Sequence, residues 1–496
     1  MPNSVDFGGR PFHFIGIGGI GMSALAYILT RRQLPVSGSD LRLTHITRRL
    51  QDAGAHVFWR QEAANLAFFN PLSAPRLTSK LTSKKSSKPS ELPQVVCSTA
   101  IDNNNPEYRA AMELGCPILH RSDVLAALIQ DYESIAVAGT HGKTTTSSMI
   151  GFLLLEAGLD PTIVVGGEVG AWQGNAHVGQ SQYLVAEADE SDGSLVKLAA
   201  KFGIVTNIEL DHLDHYQSLE DVVKIFRAFS DQCQYLVGCI DCATVRDQLK
   251  PDITYSLHPE AEADYTADDI CYSATETTAT IWEQGQKLGT LRLSLLGQHN
   301  LSNALAAVAV GRKLGLSFEQ IAEIMVRFEG ARRRFEYRGF HGGIRFIDDY
   351  AHHPSEIRAT LAAARLKLQG EQSEHPIKRV VAVFQPHRYS RAAALMADFA
   401  DAFEDADQVL VTDIYGAGEE NAFGVSGKGV AGAIANYHSG VEYRPTLPEV
   451  HQYLTTTLEP GDLVLFLGAG NLNQIIPDVM DFYANHEAQP LSQICR

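Results

Sequence analysis

The sequence predicts an α/β protein of three domains, and three observations carry that reading. The chain has 496 residues, against roughly 150 for a typical domain. Two glycine-rich segments, GIGGIG from Gly16 and GTHG from Gly139, each follow a strand-like apolar run and open a stretch of helical periodicity. Further apolar runs alternate with helical patterns as far as DLVLFLGAG near the C-terminus, as expected of parallel sheets joined by crossover helices. Composition agrees, because 45% hydrophobic and 20% charged residues suit a globular chain with several cores. The 41 basic and 58 acidic residues leave a net charge of −17. That balance disfavours a protein whose main task is to grip nucleic acid or anionic lipid. A phosphate-bearing ligand must therefore be held locally.

Taken in order, Phe12 to Ile17 reads as a strand and the following GIGGIGMSALAYILTRR as a turn and helix. A second strand ends at Ser37-Gly38-Ser39-Asp40, and a third spans Gln94 to Ile101. Between them, residues 70–93 repeat LTSK and hold little that could pack, which predicts a surface insertion. Residues 1–131 thus form the first domain. The second, 132–331, begins with the strand Ser134 to Ala138 and its glycine turn, and continues with YLVAEAD and FGIVTNI. Its Thr- and Ser-rich stretch from Asp252 to Leu296 predicts a small antiparallel patch before a helix at Asn300 to Leu314. The third, 332–496, carries IRFIDDYA, RVVAVFQP, QVLVTDIY and DLVLFLGAG. The N-terminal sequence has no basic, long-apolar secretory pattern, and no later run reaches about 18 apolar residues. A soluble cytoplasmic protein is expected, without nucleic-acid or membrane partners. Seven irregularly spaced cysteines predict reduced thiols rather than a disulfide framework; the Cys239-x-x-Cys242 pair lacks the further ligands of a zinc site.

Two motifs carry chemistry. Gly16, Gly18 and Gly21 form GxGxxG, with Asp40 nineteen residues beyond Gly21. Such a turn presents backbone amides to a diphosphate at a helix N-terminus and places a carboxylate for a ribose hydroxyl. A dinucleotide and a nucleotide-sugar diphosphate pose the same electrostatic problem. Gly139-Thr140-His141-Gly142-Lys143-Thr144-Thr145 departs from GxxxxGK[ST], since its glycines are three apart, yet its amides, lysine and hydroxyls suit a triphosphate with magnesium. Glu187 in EADESDGS and His212 in TNIELDHLDHY follow apolar strands of the same domain, so both are candidate magnesium ligands.

These segments, with LGQHNLSNALAA, GARRRFE and DDYAHHPSEI in one order over nearly the whole chain, resemble the Mur ligase family of ATP-dependent amide-forming enzymes. GIGGIGMSALA, DDYAHHP and QPHRYSR are most similar to members that add L-alanine to UDP-N-acetylmuramate. The resemblance implies an N-terminal Rossmann-like UDP-binding sheet, a central P-loop ATPase-like domain and a C-terminal Rossmann-like amino-acid-binding domain. It implies ATP, UDP-N-acetylmuramate and L-alanine as substrates and Mg2+ as cofactor, with amide formation through an acyl phosphate. Gly139 to Thr145 would hold ATP, with Lys143 and Thr144 on its phosphates and magnesium. Glu187 would hold a first magnesium and His212 a second. Asn300 and Asn303 would meet the adenine side, Arg334 the terminal phosphate and Asp349 the ribose. His352, His353, His387, Arg388 and Arg391 would close over the amino acid. Gly18, Gly21, Ser39, Asp40 and Ser98 would line the UDP site. Lys143, His212, Arg334 and His352 are the candidate catalytic residues, with the general base near His212 or His352. Lys224, twelve residues after His212, falls two short of where the family places a carbamylated lysine, and none is assigned. Three other readings stay open: a ligase that recycles whole tripeptides onto the same nucleotide sugar, a nicotinamide-dependent dehydrogenase, and a nucleotide-gated binding protein without ligase activity.

Overall fold

A computed structural model describes residues 4–69, 92–213, 215–368 and 375–486. Most of the insertion expected at 70–93 lies outside the described residues. The chain divides into two compact units, Met1–Ala138 with Leu154–Ile204 and Ile225–Leu236, and Gly139–Leu153 with Val205–Lys224 and Val237–Arg496.

In the first unit, β1 (Phe12–Ile15), β2 (Val36–Ser39), β3 (His56–Phe58), β4 (Gln94–Cys97) and β5 (Ile118–His120) form a sheet in the order β3-β2-β1-β4-β5. Every pairing is parallel. All four residues of β1 are buried, as expected of a central strand covered on both faces. A tight turn with Gly16 at φ 79°, a conformation that favours glycine, then leads into the helix Ile20–Arg31. A further run of strands in this unit comprises β6 (Glu133–Ala138), β7 (Thr162–Val169), β8 (Gly174–His177), β9 (Tyr183–Glu187) and β10 (Phe202–Val205), in the order β10-β6-β9-β7-β8.

The second unit carries β11 (Tyr235–Cys239), β12 (Ile253–Ser256), β13 (Tyr265–Tyr272), β14 (Thr277–Glu283) and β15 (Gln286–Leu293), ordered as in the chain. The antiparallel patch is narrower than the sequence suggests: β13 to β15 form the meander, while β12 pairs in parallel with both neighbours. The helix Gln298–Lys313 follows, with Arg312 and Lys313 in its last turn, where cations complement the helix dipole. Its first two turns set Asn300 and Asn303 at the head of a mostly buried helix.

The C-terminal sheet contains β16 (Glu336–His341), β17 (Ile344–Asp349), β18 (Arg379–Phe384), β19 (Gln408–Val411), β20 (Val441–Tyr443) and β21 (Asp462–Leu467), in the order β16-β17-β21-β18-β19-β20. Only edge strand β16 pairs antiparallel. Successive side chains of a strand face opposite sides. Val380, Ala382, Phe384, Leu463 and Leu465 therefore pack into one core with Phe399 and Phe403. Val381, Val383, Val464 and Phe466 pack into another with Leu454 and Val479. This two-sided burial fixes the carboxyl ends of β17 and β18, from which Asp349 and His387 emerge. Among the described residues no helix is long and apolar enough to cross a membrane.

Candidate active site

In the first unit the glycine turn is closed by its own acid. Asp40 Oδ2 accepts the Gly18 N–H at 2.8 Å and Oδ1 accepts the Arg42 N–H at 3.0 Å. A Cβ on Gly18 would lie 2.7 Å from Asp40 Oδ2, so only glycine allows this approach without displacement. Ser39 points inward: its hydroxyl is fully buried and donates to Glu107 Oε2 at 2.5 Å. Glu107 Oε1 also accepts from Asn65 Nδ2 at 2.5 Å and lies 3.3 Å from His13 Nε2. Ser98 is half-buried just beyond β4, and its carbonyl accepts the Ile101 N–H. A Cβ on Gly21 would lie 3.7 Å from Arg121 Nη1. Arg121 donates to Asp189 at 2.7 Å and Asp192 at 3.0 Å. Burial alone would favour its neutral form, but these carboxylates hold its pKa above the ordinary range. Neither Arg121 nor Glu107 stands out in the sequence.

In the second unit the loop after β6 is fixed by residues from far along the chain. Gly139 and Gly142 have φ of 139° and 82°. A Cβ on Gly142 would lie 2.6 Å from Asn303 Oδ1, and one on Gly139 would collide with the Thr206 hydroxyl. Asn207 Oδ1 accepts the His141 N–H at 2.8 Å, and its Nδ2 donates to the His141 carbonyl at 3.1 Å. The Glu209 N–H donates to Thr140 Oγ1 at 2.8 Å. Lys143 Nζ is folded over this loop, donating to the carbonyls of Gly139 at 2.6 Å and Thr140 at 3.1 Å. Thr144 and Thr145 are buried at the start of the following helix.

His141 lies between two carboxylates, with Nδ1 3.3 Å from Glu356 Oε1 and Nε2 3.4 Å from Glu209 Oε2. Burial opposes a charge on His141, but Glu209 and Glu356 outweigh it and raise its pKa to about 9. Paired with His141, Glu209 is lowered to about 2. Arg334 Nη1 lies 3.7 Å from Glu356 Oε1, and its guanidinium sits over the Tyr350 ring. Asp349 accepts the N–H groups of Phe335 at 2.6 Å and Ala351 at 2.7 Å; burial raises its carboxyl to about 6. Asn300 Nδ2 donates to the Leu296 carbonyl at 2.9 Å.

A cavity of about 600 Å³ is lined by His141, Gly142, Asn300, Asn303, Arg334 and Asp349 at its polar side and by Leu257, Leu295 and Ala363 elsewhere. Its size suits a small-molecule ligand. The structure thus brings residues of GTHGKTT, LGQHNLSNA, GARRRFE and DDYAHHP to one cavity, among them His141, Gly142, Thr145, Asn300, Asn303, Arg334 and Asp349.

Beyond the cavity, Arg391 grips Asp211 in a buried bidentate pair, with Nε to Oδ1 at 3.0 Å and Nη2 to Oδ2 at 3.1 Å. Burial would push the Asp211 carboxyl up, but Arg391 and neighbouring histidines hold it well below the carboxylate range. His352 and His387 rings lie 5.9 Å apart, and burial lowers them to about 4 and about 3. Arg388 donates to Glu419 at 3.1 Å. His353 is buried with its Nδ1 accepting the Ser355 N–H at 3.3 Å. Glu187 lies in the first unit, where Oε2 accepts the Gly166 N–H at 2.6 Å. His212 has φ 52° and places Nε2 3.8 Å from Asp211 Oδ2. Asn207, Glu209 and Glu356 lie inside the motifs quoted above, but nothing local in the sequence marks them as the loop's anchors.

The Mur ligase family, catalytic domain model matches residues 11–133, the Mur ligase middle domain 137–311 and the Mur ligase, glutamate ligase domain 333–470. The chain is 65% identical over 480 residues to the UDP-N-acetylmuramate–L-alanine ligase of Nostoc punctiforme, covering 97% of this chain and 98% of that protein. It is 61% identical over 494 residues to the protein of that name from Gloeothece citriformis, covering 97% and 99%. The crystal structure of UDP-N-acetylmuramate-alanine ligase MurC from Thermotoga maritima matches with a TM-score of 0.78 at 28% identity, over 96% of this chain and 99% of that one. A murein peptide ligase from Psychrobacter arcticus shares the fold, with a TM-score of 0.69 at 23% identity over 96% and 99%. Three consecutive family domains, full-length relatives and a cavity assembled from motifs of the middle and C-terminal domains leave one conclusion: the chain belongs to the Mur ligase family.

Proposed function

We propose that this chain joins L-alanine to the lactyl carboxylate of UDP-N-acetylmuramate, cleaving ATP to ADP and phosphate, in the synthesis of peptidoglycan precursors. The observation that carries this reading is the cavity where the phosphate loop, Asn300, Asn303, Arg334 and Asp349 meet; the names borne by the full-length relatives support it. Residues 1–131 serve the UDP moiety, 132–331 ATP, and 332–496 the amino acid. Nucleotide substrates place the work in the cytoplasm.

A free carboxylate acylates amines poorly because oxide is a poor leaving group. ATP overcomes this when a carboxylate oxygen attacks the γ-phosphorus and ADP leaves; the alanine amine then attacks the acyl carbon and expels phosphate. Lys143, now bonded to two loop carbonyls, exchanges them for anionic phosphate oxygens, which are stronger acceptors. Arg334, already held by Glu356 and Tyr350, stabilises the transferring group with little reorganisation. In the second unit Thr144 would offer Mg2+ a hard oxygen donor and His212 a further nitrogen, Glu187 of the first unit carries a carboxylate of the same kind, and the ion would supply charge neutralisation at the phosphates. Alanine must lose a proton to attack. His352, whose ring lies 5.9 Å from that of His387, is the proposed acceptor of that proton, while His353, His387, Arg388 and Arg391 form the amino-acid end. Gly18, Gly21, Asp40 and Ser98 frame the diphosphate turn, with Ser39 supporting it from the interior.

The test is isotopic. UDP-N-acetylmuramate labelled with ¹⁸O in its carboxylate transfers one label to inorganic phosphate for each amide formed, because that oxygen bridges carbon and phosphorus in the intermediate. Amide with unlabelled phosphate would exclude the acyl phosphate. Faster product formation with a tripeptide than with alanine would reassign the amine substrate.

A further inference from the structure

The edge of the phosphate loop also gathers three donors of the kind that hold a metal ion. One side-chain donor atom from each of His141, Glu209 and His353 lies within 4.8 Å of the other two. Glu209 Oε2 is 3.4 Å from His141 Nε2 and 3.9 Å from His353 Nδ1, and the two imidazole centroids are 4.6 Å apart. Among the described residues, the buried Nε2 atoms of His141 and His353 make no hydrogen bond, and His353 is only 5% exposed. Buried polar nitrogens ordinarily have a partner, so two without one in a single cluster mark a position that a ligand can complete.

The surroundings prepare these atoms for a metal ion. Glu356 takes the hydrogen bond from His141 Nδ1, so Nε2, the nitrogen facing Glu209, is the one that exchanges its proton for an ion. A carboxylate behind a histidine in this way fixes the tautomer and raises ligand basicity, as in carboxylate–histidine–zinc arrangements. Ser355 Oγ donates to Glu209 Oε2 at 2.8 Å and orients that carboxylate. His353 accepts the Ser355 N–H at Nδ1, the nitrogen 3.9 Å from Glu209 Oε2, and gives up only that 3.3 Å bond when Nδ1 binds an ion. Two imidazole nitrogens and one carboxylate oxygen with an open fourth position match a three-ligand zinc site. Magnesium, which prefers six hard oxygens, does not suit them.

We propose that His141, Glu209 and His353 form a binding site for a divalent transition metal ion of the zinc class, separate in its residues from Thr144, Glu187 and His212. The ion replaces a proton between His141 and Glu209 and ties the phosphate loop to the segment following β17.

Metal-free full-length protein titrated with Zn2+ against a chromogenic chelator near neutral pH tests this. One tight Zn2+ per chain is expected, weakened roughly tenfold or more in both Glu209→Gln and His353→Asn, a loss at least as large as that from altering an outer partner. His212→Ala retains the tight site. Co2+ bound to the unaltered protein shows the d–d bands of a nitrogen–oxygen site without a thiolate-to-cobalt band, which excludes Cys239 and Cys242 and does not depend on any variant folding. Absence of tight zinc binding, unchanged affinity in folded Glu209→Gln and His353→Asn proteins, loss in His212→Ala instead, or a thiolate band in the Co2+ spectrum would overturn the proposal.

Discussion

The two glycine turns use one backbone device for different ends. The turn after β1 is closed by Asp40 on the Gly18 N–H and braced from below by buried Ser39, Glu107, Asn65 and His13. It holds no cation of its own, and under the proposed function it faces a ligand that it need not transform. The turn after β6 carries Lys143 and His141, and its geometry depends on Asn207, Glu209, Asn303 and Glu356. There the charges are preset by neighbours, which is what stabilising a moving phosphoryl group requires. A glycine motif therefore reports where phosphate is held; the charged groups locked around it decide whether anything happens to that phosphate.

The sharpest way to separate the turns is Lys143→Ala. Turnover should fall by at least about 10²–10³, the usual effect of losing one electrostatic stabiliser, while UDP-N-acetylmuramate affinity measured by calorimetry stays near wild type. Parallel losses in both would break the division of labour. Next come the glycines. Gly142→Ala, strained by its φ of 82° and by Asn303, should raise the KM for ATP, and Gly18→Ala, pressing on Asp40, the KM for the sugar nucleotide. Each change should be roughly ten- to a hundredfold, from about 1–3 kcal/mol of local strain. If both substitutions altered the same KM, the contrast would fail.

The third prediction concerns pH. His141 has its pKa raised from 6.5 to about 9, so its stabilisation is complete below 6.5 and lost as pH rises through 9. Glu209 has its pKa lowered from 4.5 to about 2, so its contribution is present above 4.5 and lost as pH falls through 2. The Tm difference between wild type and His141→Asn should therefore be largest between pH 4.5 and 6.5 and shrink towards pH 9. A difference that grows towards pH 9 would show that His141 is not held as a cation. The smallest effect belongs to residues 72–91, whose replacement by a short flexible linker should change unfolding free energy by about 0–1 kcal/mol and leave both KM values intact. Loss of sugar-nucleotide binding would place that segment in the site.

How much of this was legible follows from distance along the chain. The alternation of apolar runs and helical periodicity predicts the parallel sheets because it is local. The glycine positions are legible for the same reason: a positive φ at Gly16 or Gly142 is a property of one residue. Partners that meet only after folding are not. Glu107 is a fully buried carboxylate in a segment that reads as an ordinary exposed helix start, and its ties to His13 and Ser39 span 94 and 68 residues. Asp40 was expected at a ribose hydroxyl from its spacing alone; spacing could not reveal that its carboxylate also closes the turn on Gly18. Glu356 sits within a quoted motif, yet its bond to His141 crosses 215 residues. The order of the motifs could suggest that they share a site, while their pairwise chemistry depended on the tertiary fold.

The buried Asp211–Arg391 pair has a consequence for synthesis of the chain. Its members are 180 residues apart, so at ~5–20 residues per second the ribosome needs about 9–36 s between making the first and the second. Throughout that interval Asp211 lacks the guanidinium that offsets its desolvation, and burying an unpaired carboxylate is strongly unfavourable. The segment from Thr206 to Asp211, which also anchors the phosphate loop through Asn207 and Glu209, is thus kept from settling early. A nascent chain therefore completes this anchored segment only after Arg391 has emerged.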